Sequence, residues 1–216
     1  MSLTYLGAHL GHIINFEILP QNAVIVDGGV CQGDFINELH HHTNPEKFKI
    51  IGFEASSLNS ANMPAEFKGV SDVKIYNKIL VGENSNPYEK FIEYEDLPEW
   101  GNMTGLYDPF AIERGKKRKE TIVETITLKK IFDLYKLEQI DYLKLDIEGA
   151  EFDLVETMTF EVAEKIKQLS MEVHYIRDLN DPDLLLRLIN GLSNKLVALG
   201  FETSYYSNEL YGFRRQ

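Results

Sequence analysis

The chain has 216 residues, a length that suits one domain around a single hydrophobic core, and we expect that domain to span residues 1–216. Its 22 basic and 34 acidic side chains give a formal net charge of −12, which disfavours nucleic acid and anionic membrane surfaces as partners. A lone cysteine, and no apolar run near the roughly 20 residues of a membrane span, favour a cytoplasmic protein.

Hydrophobic periodicity predicts the elements of the N-terminal part of the chain. Apolar residues at helical spacing predict an N-terminal helix at about residues 4–16. A short β-branched run predicts a strand at residues 23–26, which a glycine-rich turn separates from a helix at residues 34–42. Further strands are predicted at residues 50–53, 73–76 and 79–81.

The rest of the chain combines one irregular stretch with regular elements. Scattered Gly and Pro and the lack of a clear period predict an insertion at about residues 83–119, containing a hairpin or a lid. After it we predict an edge strand at 121–127, a helix at 128–137, strands at 142–145 and 169–173, a helix at 182–199 and a hairpin of 202–206 with 209–213. This alternation predicts an α/β fold: a doubly wound, mostly parallel, Rossmann-like sheet with helices on both faces.

The turn after the first predicted strand reads Asp27-Gly28-Gly29-Val30-Cys31-Gln32-Gly33, and glycines in such a turn allow a ligand to approach the backbone closely. A dinucleotide fingerprint would fall on Gly28, Val30 and Gly33, so its central glycine is missing. Asp27 suits a ligand that carries an ammonium and a sulfonium group, and it would repel a diphosphate. The turn therefore favours S-adenosylmethionine over a nicotinamide dinucleotide.

Glu54 ends the next strand, roughly twenty residues after the turn, where an acidic residue can accept hydrogen bonds from both ribose hydroxyls. We expect Glu54 and the adjacent Ala55 to contact the cofactor together with the glycine turn. In the alternative interpretation, Asp27 and Glu54 only cap the helices that follow them.

Two further strand ends place polar residues at the same rim of the sheet. Asp146 and Glu148 follow the strand at 142–145, and Glu172 and His174 alternate along the next strand, so both point to one side. For methylation of a hydroxyl we nominate Asp146 or His174 as the general base, with Glu172 orienting it.

These rim residues also have other interpretations. His174 could be a core histidine bonded to a backbone carbonyl, and Glu148 and Glu151 could be first-turn residues stabilised by a helix dipole. Asp146, Glu172 and His174 would also suit a divalent metal, because they offer oxygen and imidazole ligands. Spacing does not decide between these alternatives, and our prediction includes no metal.

Together these motifs resemble one known family. They are Val26-Asp27-x-Gly29-x-x-x-Gly33, Phe53-Glu54, the strand that leads from Thr125 to Leu128, Leu143-Lys-Leu-Asp-Ile-Glu-Gly-Ala-Glu151 and Met171-Glu-Val-His174. The pattern is similar to that of the FkbM-type methyltransferases. The resemblance implies a class I S-adenosylmethionine-dependent fold with seven strands, the last antiparallel, and O-methylation of a sugar, glycan or secondary metabolite. It assigns the methionine part of the cofactor to Asp27, Gly29 and Gly33, the ribose to Glu54, and a position near the sulfur to Asp146.

Two features of the irregular stretch bear on the acceptor. The cluster Lys116-Lys117-Arg118-Lys119, with Arg114, suggests an anionic acceptor, although such clusters are commonly solvated loops. The stretch from Trp100 to Tyr107 is a candidate lid or acceptor wall.

Two rival functions remain open at this point. One is a nicotinamide-dependent oxidoreductase on a similar sheet, and the other is a non-catalytic domain that binds S-adenosylmethionine.

Overall fold

The computed structural model of the protein describes residues 3–6, 11–42, 48–62, 72–94, 118–174 and 183–214. In these ranges the strands are β1 Thr4–Leu6, β2 His12–Ile14, β3 Ala23–Gly28, β4 Phe48–Phe53, β5 Val73–Tyr76, β6 Ile79–Val81, β7 Tyr88–Tyr94, β8 Arg118–Thr127, β9 Ile140–Leu145, β10 Ile166–Glu172, β11 Glu202–Tyr206 and β12 Glu209–Phe213. The α-helices are α1 Asp34–His42, α2 Ser57–Asn62, α3 Leu128–Tyr135, α4 Glu151–Thr157, α5 Phe160–Ala163 and α6 Leu184–Ala198. Within the same ranges, no helix combines the length and the apolar character that crossing a bilayer requires.

The central sheet has seven strands in the order β5-β4-β3-β9-β10-β12-β11. Its inner strands pair in parallel, whereas β12 runs antiparallel to both β10 and β11. The predicted doubly wound, mostly parallel sheet with an antiparallel last strand is therefore confirmed. Strand order reverses between β3 and β9, and ligands of such sheets bind at the carboxyl ends of the strands beside this reversal.

Apolar layers cover both faces of the sheet, as alternation along β3 requires. Ile25 belongs to a buried cluster with Phe35 of α1, whereas Val26 packs in a second cluster with Leu154 of α4 and Leu192 of α6. Each fully buried side chain of this size contributes about 1.5–3 kcal/mol through removal from water. The two layers hold the strand ends of β3 and β9 at fixed positions.

The N-terminal segment differs from the prediction. The expected helix at residues 4–16 is wrong, because β1 and β2 form an antiparallel pair and residues 7–10 lie outside the described ranges. Side chains of β10 bind the backbone of this segment: Ser170 Oγ accepts from Ile13 N at 3.2 Å and Gln168 Oε1 accepts from Asn15 N at 3.0 Å. These buried hydrogen bonds pair the backbone amides of an extended segment. The spacing of apolar residues, on which the helix was predicted, carries no information about such distant partners.

A smaller sheet has the order β6-β8-β7, with β6 parallel and β7 antiparallel to β8. The edge position predicted for residues 121–127 is wrong in this sheet, because strands pair with both sides of β8. β7 lies within the predicted insertion at about residues 83–119 and pairs antiparallel with β8. Residues 95–117 lie outside the described ranges, so the lid proposed for Trp100 to Tyr107 and most of the basic cluster lie there as well.

Other predicted elements appear close to the expected positions. α1 and the hairpin β11–β12 have the predicted bounds, and α6 lies within the predicted helix at 182–199. The short helices α2, α4 and α5 are additional.

Candidate active site

An open cleft of about 570 Å³, partly exposed to solvent, lies at the carboxyl ends of β3, β4 and β9. Its wall includes apolar side chains and five residues whose polar or charged side chains could contact a ligand. These five are Glu54, Asn59, Lys78, Asp146 and Glu148. Lys78 is paired with Glu124, whose Oε1 lies 2.6 Å from Nζ, so three acidic side chains dominate the charge of the wall. This position is the one that the fold class predicts for a ligand.

The glycine-rich turn forms one side of the cleft. Gly29 has a φ of +79°, and a Cβ at this position would overlap the carbonyl oxygen of Asp146. Gly28 lies behind it, and its carbonyl accepts a hydrogen bond from Asp146 N at 3.0 Å. Gly33, with a φ of +90°, begins the turn into α1 and its carbonyl accepts from Asn37 N at 2.9 Å. Of the three predicted glycines, only Gly29 contacts the cleft, while Gly28 and Gly33 shape the turn.

Glu54 is held on the cleft wall by backbone amides. Its Oε2 accepts from Cys31 N at 2.6 Å and its Oε1 accepts from Ser56 N at 2.7 Å. Burial raises the pKa of Glu54 to about 7, although these two amides act in the opposite direction. Each carboxylate oxygen has two acceptor positions, so Glu54 can still accept hydrogen bonds from hydroxyl groups of a ligand. Ala55 also lines the cleft, and its carbonyl accepts from Asn77 Nδ2 at 2.9 Å.

Asp27 lies beneath the cleft. Its side chain is fully buried, and Lys144 Nζ lies 3.2 Å from its Oδ1. The interpretation that Asp27 faces a cationic ligand is therefore corrected: Asp27 neutralises Lys144, which also donates to the carbonyl of Gly29 at 2.5 Å. Burial lowers the pKa of Lys144, but Asp27 and Asp146 raise it more, so the net pKa lies above its usual value. Of these two carboxylates, Asp146 lines the cleft and Asp27 does not.

Asp146 is held on its inner side by two buried groups. Its Oδ2 lies 3.5 Å from Lys144 Nζ and 3.8 Å from Nε2 of His12, a side chain that is 1% exposed. Burial raises the pKa of Asp146, but Lys144, His12 and His174 lower it more, so Asp146 is held ionised. Its side chain is 28% exposed, which leaves a negative charge accessible from the cleft.

His12 brings the N-terminal pair of strands into contact with the site. Its Nδ1 lies 3.4 Å from Oε2 of Glu209, which also accepts from Ser170 Oγ at 3.1 Å. Burial lowers the pKa of His12, but the hydrogen bonds to Asp146 and Glu209 raise it above its usual value. The predicted N-terminal helix concealed this role, because helical geometry gives no reason for His12 to reach β9.

His174 lies beside three carboxylates. Its Nδ1 lies 2.9 Å from Oε1 of the fully buried Glu151, and its Nε2 faces Glu148 and Asp146 at 3.4 and 3.6 Å. Burial lowers the pKa of His174, but the Glu151 hydrogen bond and the three carboxylates raise it to about 10. Burial raises the pKa of Glu148 to about 7. The predicted convergence of Asp146 and His174 is thus seen in the structure.

Glu172 makes a different contact from the predicted one. Its Oε1 accepts from Asn208 Nδ2 at 2.8 Å, in the turn between β11 and β12. The side chain that orients His174 is Glu151 instead, which accepts from the amides of Ile147 and Gly149 at 2.9 Å each. Glu151 was considered only as a first-turn residue, and its position at the start of α4 agrees with that interpretation as well.

A sequence profile of the Methyltransferase FkbM domain matches residues 6–201, which is most of the chain. The chain belongs to the FkbM methyltransferase family. None of the curated proteins compared matches the sequence.

Solved structures show the same fold as this FkbM domain. Methyltransferase FkbM from Methylobacillus flagellatus KT is 15% identical, with a TM-score of 0.52, and the match covers 89% of this chain and 43% of that one. Fibrillarin, a pre-rRNA processing protein from Methanococcus jannaschii, is 10% identical, with a TM-score of 0.50, and the match covers 94% of this chain and 70% of that one. The FkbM chain described here thus spans less than half of its Methylobacillus relative. The fold is the class I fold of S-adenosylmethionine-dependent methyltransferases.

The chemistry of the cleft wall fits S-adenosylmethionine. Gly29 lets backbone line the cleft where a side chain would fill it, and Glu54 offers acceptors for ribose hydroxyls. Phe53 and Leu80 provide apolar wall for an aromatic base, and Asp146 offers a negative charge toward a sulfonium. Glu54 and Asp146 would hold the ribose and the sulfonium as the resemblance implies, whereas Asp27 and Gly33, which it assigns to the methionine part, do not line the cleft.

Proposed function

We propose that this protein is an S-adenosylmethionine-dependent methyltransferase that methylates a hydroxyl of a sugar, glycan or secondary metabolite. Family membership supports methyl transfer, and one observation supports the cofactor position. That observation is the arrangement of Glu54 and Asp146 on the cleft wall, with the side-chain-free backbone of Gly29 against the backbone of Asp146.

The residues of the cleft divide the binding task. Glu54 accepts hydrogen bonds from neutral hydroxyls, while Asp146 stabilises positive charge because Lys144 and His12 keep it ionised. S-adenosylmethionine supplies an electrophilic methyl group, which bonds to the acceptor oxygen as the carbon–sulfur bond breaks and its electron pair stays on sulfur. Much of the acceleration in such an in-line displacement comes from holding the oxygen in position.

The hydroxyl proton leaves as the new bond forms, and a base within hydrogen-bond reach would help by about 10²- to 10⁴-fold. Asp146 remains our candidate for this role, because it is ionised and lines the cleft, whereas His174, whose pKa is raised to about 10, holds its proton at neutral pH. Glu151, and not Glu172, positions His174 in this proposal.

The acceptor is proposed to be small. The net charge of −12 and the acidic wall oppose binding of a nucleic acid. The cleft cation Lys78 is already paired with Glu124 and gives no separate support to an anionic acceptor. The suggestion of an anionic acceptor therefore rests on the basic cluster near residue 116 alone.

Calorimetric titration with S-adenosylhomocysteine tests the cofactor assignment. We expect one binding site in the wild-type protein and none detectable in Gly29→Ala, because the added Cβ would displace the backbone of Asp146. Gly191→Ala is the matched control. Gly191 lies in α6, and a Cβ added there would meet nothing within 4 Å. This control should bind normally and be more stable by about 1 kcal/mol.

The same titration with NADH separates the rival oxidoreductase. Binding of NADH without binding of S-adenosylhomocysteine by folded protein would overturn the proposal. Binding of S-adenosylhomocysteine without methylation of any hydroxyl in a screen of sugars, glycans and natural-product fragments would favour the non-catalytic alternative.

A further inference from the structure

Three side chains at the carboxyl ends of β9 and β10 offer a set of metal ligands. One ligand atom from each of Asp146, Glu148 and His174 lies within 4.8 Å of the other two. Asp146 and Glu148 line the cleft, so a group bound between the three side chains would border it. The set combines two carboxylates from the segment after β9 with an imidazole from the segment after β10, and is not simply an acidic surface.

Two of the distances in this set are longer than ordinary hydrogen bonds. His174 Nε2 lies 3.4 Å from Glu148 Oε2 and 3.6 Å from Asp146 Oδ1. Hydrogen bonds from nitrogen to oxygen are shorter, roughly 2.7–3.2 Å. Adjacent ligands at about 2.1–2.4 Å from an octahedral ion lie about 3.0–3.4 Å apart, which is close to the two distances from His174 Nε2.

The histidine is oriented as metal-binding histidines are. Glu151 accepts from Nδ1 of His174, and it is itself fixed by two backbone amides in a fully buried position. This contact assigns a proton to Nδ1 and turns Nε2 toward the two carboxylates. A carboxylate that holds the remote ring nitrogen is the usual partner of a histidine that binds a metal.

Asp146 is anchored in a comparable way. Its Oδ2 faces the buried cations Lys144 and His12, which leaves Oδ1 directed toward His174. Two of the three ligands therefore have partners that fix them from behind. Glu172, the third member of the ligand set considered from sequence, is bound by Asn208 instead.

We propose that Asp146 Oδ1, Glu148 Oε2 and His174 Nε2 bind one divalent cation of the Mg²⁺ or Mn²⁺ class. Two carboxylates neutralise the charge of such an ion, and oxygen-rich sets with a single imidazole suit these hard cations. The ion takes the place of the proton on Nε2, because a ligating imidazole must be deprotonated.

The role of this ion rests on the proposed function, although its binding does not. Three protein ligands leave open positions on the cleft side of an octahedral ion. An acceptor hydroxyl that occupies one of them is oriented, and its pKa falls, so that its proton passes to water more readily. The bond changes at carbon and sulfur remain those of the methyl transfer described above.

Titration of the chelator-treated, metal-free protein with Mn²⁺, followed by calorimetry and by the loss of the free-ion electron paramagnetic resonance signal, tests the site without any activity assay. We expect one site per chain. Glu148→Gln and His174→Gln should each weaken Mn²⁺ binding at least tenfold. Glu172→Gln is the matched control: it removes a neighbouring charge at the same rim and should change the affinity less than about threefold.

Glu151→Gln provides the sharpest test of the geometry. The Glu151 side chain does not contact the proposed ion, but loss of a carboxylate that holds a metal-binding histidine typically costs 10- to 100-fold in metal affinity. Circular dichroism and thermal unfolding verify that this variant is folded. A folded Glu151→Gln protein with unchanged Mn²⁺ affinity would contradict the proposed orientation of His174.

Two outcomes would overturn the site itself: no stoichiometric Mn²⁺ binding, or equal weakening by Glu172→Gln and Glu148→Gln, which would indicate diffuse attraction to an acidic rim. Parallel titration with S-adenosylhomocysteine separates the two proposals. Cofactor binding without Mn²⁺ binding would remove only the metal, whereas Mn²⁺ binding without cofactor binding would remove only the proposed function.

Discussion

The two sides of the cleft hold a carboxylate by opposite means. Glu54, at the end of β4, is fixed by backbone amides, and burial raises its pKa to about 7. Asp146, after β9, faces the cations Lys144 and His12, which lower its pKa despite the effect of burial. The same chemical group, at the same rim of one sheet, is thus tuned in two directions by its partners.

This difference teaches how one cleft can bind a ligand with two kinds of polar group. A carboxylate held by neutral amides is suited to hydroxyls, because it keeps acceptor capacity on both oxygens. A carboxylate backed by buried cations keeps its negative charge and can stabilise positive charge in the cleft. Lys144 is central to this asymmetry, since it contacts Asp27, Asp146 and the carbonyl of Gly29.

The substitution Lys144→Met should cause the largest loss of stability. It removes the cation behind Asp146 and leaves the Glu54 side of the cleft unchanged. It leaves the fully buried Asp27 without its cation, and removal of one partner of a buried pair costs about 3–5 kcal/mol. Chemical denaturation measures the free energy of unfolding. The double variant Asp27→Asn with Lys144→Met should recover part of the loss, and a double variant less stable than Lys144→Met would contradict the pairing.

A smaller effect is expected from pH on the Glu54 side. The folded pKa of about 7 lies above the ordinary value of 4.5, so the folded state binds the proton more tightly than the unfolded state does. The stability from this group is complete below pH about 4.5 and is lost as the pH rises through about 7. Relative to Glu54→Gln, the wild-type protein should therefore lose up to about 3 kcal/mol across this window.

Denaturation curves of both proteins between pH 4 and 8 measure this difference, and the comparison cancels groups that both share, including Asp27 and Lys144. Glu161→Gln, on the short helix α5, controls for the loss of a carboxyl group at an exposed position. A constant difference between the wild-type protein and Glu54→Gln over this range would show that Glu54 titrates normally.

The architecture could be predicted from sequence because buried parallel strands are continuous apolar runs. The runs that form β3, β4 and β9 each end in or just before an acidic residue, which identified Glu54 and Asp146 at the rim. The N-terminal pair of strands could not be predicted in this way. Its backbone is bound by Ser170 and Gln168, more than 150 positions away in sequence.

The partners of the site residues were harder to predict than the residues themselves. Lys144 is one position of a buried strand, and nothing local shows that its ammonium group reaches Asp27. Glu151 matches the pattern of a helix first turn, and only the fold brings it against His174. Alternation along β10 placed Glu172 and His174 on one side, but it could not show that Asn208 binds Glu172.

The most specific test measures how variants of Asp146 and Glu54 bind two ligands that differ in charge, in metal-free buffer. S-adenosylmethionine carries a sulfonium, whereas S-adenosylhomocysteine has a neutral sulfur. Asp146→Asn should lower the affinity for the first about tenfold more than for the second, because only the first loses a charge–charge attraction of about 1.4 kcal/mol. Glu54→Gln should lower both affinities by the same factor, since the hydroxyls that it binds are common to both ligands. Equal ratios in the two variants, measured by calorimetry, would show that the sulfonium does not lie on the Asp146 side of the cleft.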